Sequence, residues 1–387
     1  MSEIQRGLSL ALPPGQSAFL WGARKTGKTT LLRQRFPESI VFNLLDTELY
    51  LSLTKEPWRL RERLTALADK TSRNPIIIDE VQKVPPLLDE VHGLIEERKL
   101  SFILCGSSAR KLKRGHANLL GGRAWRFELF PLTSAELGKP DLLRALNHGL
   151  IPAHYLQDAA AARLSLKAYV QDYLKEEIFA EGLTRNLAAF SRFLDAVAYT
   201  HGELVNFSNI ARDCGVDAKT VREYYQILSD TLLGTLLEPY KHRKGRQVIS
   251  QAPKSYLFDT GVAGTLTRRW IEEEKGESFG RAFEHLVFME LRAYRSYSGK
   301  DFDIRFWRTK SGLEVDFILG EGEVAVEVKG TSRVDDREIR GLKAFMEERA
   351  PHKAVVVCNE RAPRVAAGIR FTPWRNFFSA LWNGDIL

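Results

Sequence analysis

Gly22-Ala23-Arg24-Lys25-Thr26-Gly27-Lys28-Thr29, continued by Thr30, decides the fold of this 387-residue chain. The run fits G-x-x-x-x-G-K-[ST] at every fixed position. Ser17 to Trp21 before it has the length and apolar character of a strand, and the pattern turns helical from about Thr29. Strand, glycine loop and helix are the setting a phosphate loop needs. The glycines let backbone N–H groups curl around phosphate oxygens, and the start of the helix adds positive potential. Lys28 then serves the β- and γ-phosphates of ATP, and Thr29 holds Mg²⁺.

Reading outward, Ile76-Ile77-Ile78-Asp79-Glu80 is an apolar strand ending in two acids. Asp79 suits Mg²⁺, and Glu80 suits the polarisation of an attacking water. Ser39 to Leu44, Pro75 to Ile78, Leu100 to Cys105 and Ala124 to Leu129 read as further strands, separated by helical stretches. This alternation predicts an α/β fold with a parallel, doubly wound sheet. The fourth strand runs into Ser107-Ser108. Ser107 there contacts the γ-phosphate or the water, or simply caps the next helix.

From about Leu132 to Gly202 the pattern is helical throughout. Asn206 to Tyr240 reads as helix, turn, helix, with Ala211 and Gly215 suited to the tight turn and Asp217 to an N-cap. Pro239 to Leu257 reads as a strand pair around the basic turn Lys241 to Arg246. In a DNA reading, Lys219 and Arg222 approach a groove, and Arg243, Lys244 and Arg246 meet phosphates. The same arrangement also serves as a packing module. A second acid-free basic run, Ser107 to Arg126, faces a central pore or solvent. Glu272 to Gly276 reads as a linker.

Near the C-terminus, Leu313 to Leu319 and Glu323 to Lys329 alternate in strand fashion across the short link Gly320-Glu321-Gly322. Pairing Leu319 with Val324 sets Asp316 opposite Glu327, with Val315, Phe317, Val326 and Val328 on the other side. Opposed carboxylates repel, and a divalent cation between them removes that cost. Lys329 shares the face of Glu327 and is placed to steady a hydroxide or a pentavalent phosphate.

The order of phosphate loop, Asp-Glu, polar strand end and Leu119-Leu120-Gly121-Gly122-Arg123 resembles the AAA+ ATPases. More narrowly, "IIIDEVQKVPPLLDEVHGLI", "ILCGSSARKL" and "GGRAWRFELFPLTSAEL" resemble one bacterial and archaeal family. That family joins an AAA+ module to a C-terminal region of poorly defined function. The resemblance implies a homo-oligomer, a hexameric ring among its forms, with the nucleotide between subunits and an arginine of the neighbour on the γ-phosphate. Arg123 stands at the matching place, and Arg185 stands at a place suited to a nucleotide sensor; both also suit plain salt bridges. Asp316-x10-Glu327-x-Lys329 resembles the PD-(D/E)xK nuclease core. Glu284, in "GRAFEHLVFMEL", matches the extra metal-side acid of its resolvase-like members. Val315 stands where a proline is frequent in that core. This second resemblance implies a restriction-endonuclease-like domain, active with Mg²⁺ or descended from an active one.

Composition sets the outer limits. At 44% hydrophobic and 27% charged residues, the chain buries real cores and long disorder is excluded. No apolar run approaches the roughly 20 residues of a membrane helix, so no membrane partner is expected. A cleaved signal would remove part of the phosphate-binding domain, and Cys105, Cys214 and Cys358 show no CxxC pairing; both point to the cytoplasm. A net charge of +8 is compatible with a polyanionic partner. The expected organisation is an ATPase core over 1–132, a helical lid over 133–202, a winged helix over 203–270 and a nuclease-like domain over 276–387. The expected function is an ATP-driven motor or switch on DNA, branched or junction DNA included, with an attached Mg²⁺-dependent nuclease. The alternative is a non-cleaving regulator whose C-terminal domain only docks nucleic acid or protein, and RNA remains open as the target.

Overall fold

The computed structural model describes residues 4–67, 74–108, 110, 112, 120–173, 186–241 and 252–387. They fall into two compact units: Leu8–Phe130 with Asp230–Leu232, and Met1–Gly7 with Pro131–Ser229 and Leu233–Leu387.

The first unit is built on five parallel strands: β1 (Ser17–Trp21), β2 (Val41–Asn43), β3 (Ile76–Asp79), β4 (Phe102–Gly106) and β5 (Ala124–Glu128). Their order in the sheet is β2-β3-β4-β1-β5, a P-loop core arrangement. β1 lies between β4 and β5, and all five of its residues are buried. β2 is shorter than the sequence pattern suggests. It is an edge strand paired only with β3, and Val41 and Asn43 face solvent. Helices α1 (Lys28–Arg35), α2 (Thr47–Lys55), α3 (Arg59–Ala66) and α4 (Leu87–Arg98) connect the strands. Leu53, Leu60, Leu64, Val91 and Leu94 from α2, α3 and α4 pack with Phe19, Ile76, Ile78 and Leu104 of the sheet.

The second unit opens with helices α5 (Ser134–Leu137), α6 (Leu142–His148), α7 (Pro152–Tyr155), α8 (Ala159–Ala168) and α9 (Leu187–Tyr199). Next come α10 (Phe207–Cys214) and α11 (Ala218–Asp230), joined through Gly215 in the left-handed region at φ 67. Asp217 caps α11 as its sequence position suggests, accepting from Lys219 N at 2.8 Å and Thr220 N at 2.9 Å. The following strand pair, β6 (Gly234–Leu237) with β7 (Lys254–Leu257), begins earlier than expected. Beyond Glu238 the chain changes partner: Tyr240 N donates to Phe306 O at 2.6 Å. Pro239, which has no N–H, sits at that switch in a single bridge to Phe306.

After α12 (Thr260–Leu266) and the long α13 (Gly276–Tyr297), a six-stranded mixed sheet forms. Its strands are β8 (Ile304–Arg308), β9 (Glu314–Leu319), β10 (Val324–Lys329), β11 (Lys353–Cys358), β12 (Arg364–Ala366) and β13 (Ile369–Pro373), with α14 (Arg340–Arg349) and α15 (Trp374–Trp382). The order is β12-β13-β11-β10-β9-β8. β12, β13 and α15 follow β11 and complete the domain.

The β9–β10 hairpin has the expected register, Val324 with Leu319 and Val326 with Phe317. One detail differs. Between the pairs Arg305–Ile318 and Trp307–Val315, Asp316 and Phe317 of β9 together oppose the single residue Phe306. This bulge breaks the alternation. Phe317, Val326 and Val328 enter the core that α13 covers, whereas Val315 enters the opposite core with Ile318 and Phe345. Among the described residues, no helix is long and apolar enough to cross a membrane.

Candidate active site and carboxylate cluster

The phosphate loop leaves the C-terminal end of β1. Gly22 has no room for a side chain: a Cβ would lie 2.7 Å from Leu129 O and 3.1 Å from Thr26 Oγ1. Lys25 and Gly27 adopt left-handed backbone, at φ 62 and φ 96, which turns the loop into the start of α1. Thr26 Oγ1 ties the loop by donating to Ala23 O at 2.7 Å. Lys28 is buried, and its Nζ donates to Gly22 O at 2.7 Å and Ala23 O at 3.2 Å. Arg24 is half-buried, while Lys25, Thr29 and Thr30 are exposed at the mouth.

β3 brings the two acids to this loop. Thr29 Oγ1 donates to Asp79 Oδ2 at 2.9 Å, so the two oxygen groups that suit Mg²⁺ already lie together. Asp79 Oδ1 accepts from Glu80 N at 3.0 Å and from the buried Cys105 thiol at 3.0 Å. Glu80 has left-handed backbone, φ 58 and ψ 41, an unfavourable state for a non-glycine residue that is frequent at functional sites. Burial raises its pKa, with the Lys28 ammonium pulling the other way. Gln82 was not apparent from the sequence. Its Nε2 donates to Glu80 Oε2 at 2.5 Å and to Ser107 Oγ at 3.1 Å, linking the acid to the end of β4. The signal available was a lone amide two residues past the Asp-Glu pair.

These donors and acceptors fit a nucleoside triphosphate with its metal. Residues 15–138 match the family model described as an AAA domain. The chain carries an AAA domain. Such a domain implies ATP hydrolysis with ATP and Mg²⁺ as cofactors. Two further models, both described as domains of unknown function (DUF8612 and DUF4143), match residues 139–271 and 279–377. Uncharacterized proteins of Mycobacterium tuberculosis and Mycobacterium bovis are each 27% identical over 340 residues, covering 84% of this chain and 73% of the relative. An uncharacterized protein of Haemophilus influenzae is 22% identical, covering 80% of each.

Within the AAA domain, Arg123 is not brought to the phosphate loop of its own subunit. β5 runs parallel to β1 with Ala124 beside Ser17, so Arg123 sits at the opposite end of the sheet from Gly22. There it is partly exposed and ion-paired with Glu96, whose carboxyl it holds below the usual range.

Outside the AAA domain, Lys219 and Arg222 lie exposed on α11, with the Arg222 guanidinium 4.5 Å from the Phe207 ring centre. The basic-turn residues Arg243, Lys244 and Arg246 lie outside the described residues, as do Arg185 and the basic positions Lys111, Lys113 and Arg114.

The C-terminal carboxylates do converge. α13 supplies Glu284, β9 supplies Glu314 and Asp316, and β10 supplies Glu327 and Lys329. Val328 N donates to Asp316 Oδ2 at 2.8 Å, and Lys329 Nζ pairs with Glu327 Oε1 at 2.6 Å. Burial and the Glu284 charge push Asp316 up to about 6. Burial and the Asp316 charge push Glu327 well above its ordinary value. Burial opposes the charge of Lys329, but Glu327 and Asp316 outweigh it and raise its pKa.

Lys254 of β7, absent from the sequence-based site, enters the same cluster. Its Nζ lies 3.3 Å from Glu284 Oε1, 2.5 Å from Glu314 Oε1 and 3.8 Å from Asp316 Oδ1. Tyr256, two residues on, donates its hydroxyl to Glu284. Among the described residues, no three His, Cys, Asp or Glu side chains are grouped to hold a metal ion. As folded, the donor set fits a buried ammonium better than a divalent ion.

Proposed function

We propose that this chain is an ATP-hydrolysing AAA-type switch acting on DNA, and that its C-terminal nuclease-like domain docks nucleic acid without cutting it. The observation that carries the ATPase is the connected set Thr29, Asp79, Glu80, Gln82 and Ser107 around the phosphate loop. With ATP bound, Thr29 and Asp79 would hold the metal, which would supply positive charge to offset that of the phosphates. Lys28 leaves the loop carbonyls for the β- and γ-phosphates, and Glu80 orients the attacking water. Support for DNA comes from the net charge of +8 and from Lys219 and Arg222 on one exposed helix face. Arg123, remote from its own loop, supports a homo-oligomer in which it completes the neighbour's site. A ring of six such subunits suits that role. Docking rather than cleavage is favoured by Lys254 among the carboxylates.

The test measures ATP hydrolysis and binding with single-stranded, duplex and four-way junction DNA and with RNA of matched length. DNA should raise the hydrolysis rate. Lys219→Glu with Arg222→Glu should weaken DNA binding and flatten its salt dependence. Hydrolysis and binding indifferent to every nucleic acid would remove DNA from the proposal; preference for RNA would replace it.

A second reading keeps a Mg²⁺-dependent nuclease on Asp316, Glu327, Glu284 and Lys329. It draws support from Glu327 Oε2, which is buried without a hydrogen-bond partner. Metal-dependent cleavage of branched DNA that disappears in Asp316→Asn would establish it.

A further inference from the structure

We infer that Lys254 is the resident cation of the C-terminal carboxylate cluster, standing where a nuclease of this pattern places a divalent ion. The inference rests on the docking reading of the C-terminal domain and is independent of ATP hydrolysis.

The charges around the cluster are nearly matched by side chains alone. Glu284, Glu314, Asp316 and Glu327 meet three cations. Lys254 contacts the first three, Lys329 pairs with Glu327, and Arg308 Nη1 takes Glu314 Oε2 at 2.7 Å. A buried carboxylate group of this density needs compensation, and an ion pair lacking one partner is strongly unfavourable. Lys254 provides that compensation from outside the Asp-Glu-Lys motif.

The lysine is also fixed in place. Its side chain is only 4% exposed, and its ammonium lies 5.6 Å from the Phe306 ring centre. Its backbone is paired with Leu237 of β6 and bridged to Leu204. Pro253 O, beside it, accepts from Val205 N at 2.8 Å. The strand pairing fixes the point from which the side chain reaches the cluster, and its burial and its contacts with Glu284, Glu314 and Asp316 hold the ammonium there. The bulge in β9 works with this placement, because it seats Asp316 and Phe317 together opposite Phe306, the ring beside Lys254.

A divalent ion would need oxygens of Glu284 and Asp316 that Lys254 already engages, and would lie against a trapped positive charge. The same side chains become a metal site once that charge is gone. Lys254→Met keeps the length and apolar stem of the side chain and removes only the ammonium.

The test is Mn²⁺ binding by electron paramagnetic resonance, on the nucleotide-free full-length chain. Wild type and Asp316→Asn should bind Mn²⁺ alike, with no site lost in the variant. Lys254→Met should gain one Mn²⁺ site at least about tenfold tighter than any in wild type, and adding Asp316→Asn should abolish it. A wild-type site that vanishes in Asp316→Asn would overturn the inference, and so would a folded Lys254→Met that gains nothing. If Lys254→Met does not fold, the comparison of wild type with Asp316→Asn still decides. ATP hydrolysis by wild type is measured alongside: its absence would sink the switch and leave the Mn²⁺ result standing.

Discussion

Thr29 Oγ1 donates to Asp79 Oδ2 across 2.9 Å, joining the first turn of α1 to the end of β3. The two residues are 50 positions apart in the chain. Their contact exists because β3 and β1 run parallel on either side of β4 and deliver their C-terminal ends to one edge. Ligands of open α/β sheets bind at that edge.

Lys28→Ala should abolish ATP binding, because it removes the cation that the loop holds ready for the phosphates. Glu80→Gln should bind ATP normally and hydrolyse it at least about 100-fold more slowly, the usual size of a lost general base. Nucleotide binding by fluorescence and a phosphate-release assay separate the two. Wild-type turnover in Glu80→Gln would remove Glu80 from that role.

Gln82→Ala should slow turnover about tenfold while leaving the ATP dissociation constant unchanged, since its amide touches Glu80 and Ser107. The Gln82 hydrogen bond lowers the pKa of Glu80, so its loss raises that pKa further and moves the acidic limb of the rate profile to higher pH. Gly106→Ala should do similar damage, because a Cβ there would meet Gln82 Oε1 at 2.0 Å. An unshifted pH profile in Gln82→Ala would deny Gln82 any hold on Glu80.

Arg123→Ala should lose ATPase activity, and so should Lys28→Ala. Mixing the two proteins should restore part of the activity, since some interfaces then combine an intact loop with an intact arginine. Failure to recover, with a monomeric mass under ATP, would point to a switch that works as a single subunit.

Glu290 provides a pH test away from both sites. It is buried, accepts from Ser134 N at 2.6 Å and from Trp382 Nε1 at 2.7 Å, and burial raises it to about 7. A carboxyl raised on folding favours the folded state most below its unfolded pKa near 4.5, and that advantage fades as pH climbs through 7. The span is worth about 3 kcal/mol at most, at roughly 1.4 kcal/mol per pH unit. Melting temperatures of wild type should therefore fall from pH 4.5 to 7.5 more steeply than those of Glu290→Gln. Parallel curves would show that Glu290 is not the group responsible.

The phosphate loop, the Asp79–Glu80 strand end and the β9–β10 register could all be read from the chain because each depends on neighbours. Glycine spacing fixes the loop, an apolar run fixes the strand, and a short turn with period-two alternation fixes the hairpin. Gln82 escaped because its meaning lies in Ser107, 25 residues away just past the end of β4. The core that Val315 joins escaped, because a bulge leaves no trace in alternation. The later β12, β13 and α15 escaped because short strands and a brief aromatic helix give weak periodic signals.

Sequence by itself thus determined that this chain holds a phosphate-binding α/β core and that acids and a lysine meet on a C-terminal hairpin. Both follow from local geometry, which a few adjacent residues impose. Only the tertiary structure decided what those acids meet. Lys254 stands 30 residues from Glu284 and reaches it because β7 packs beside α13 and β9. The balance of charge in a buried cluster depends on every side chain that enters it, whatever its place in the chain. No motif of acids and lysine contains that information.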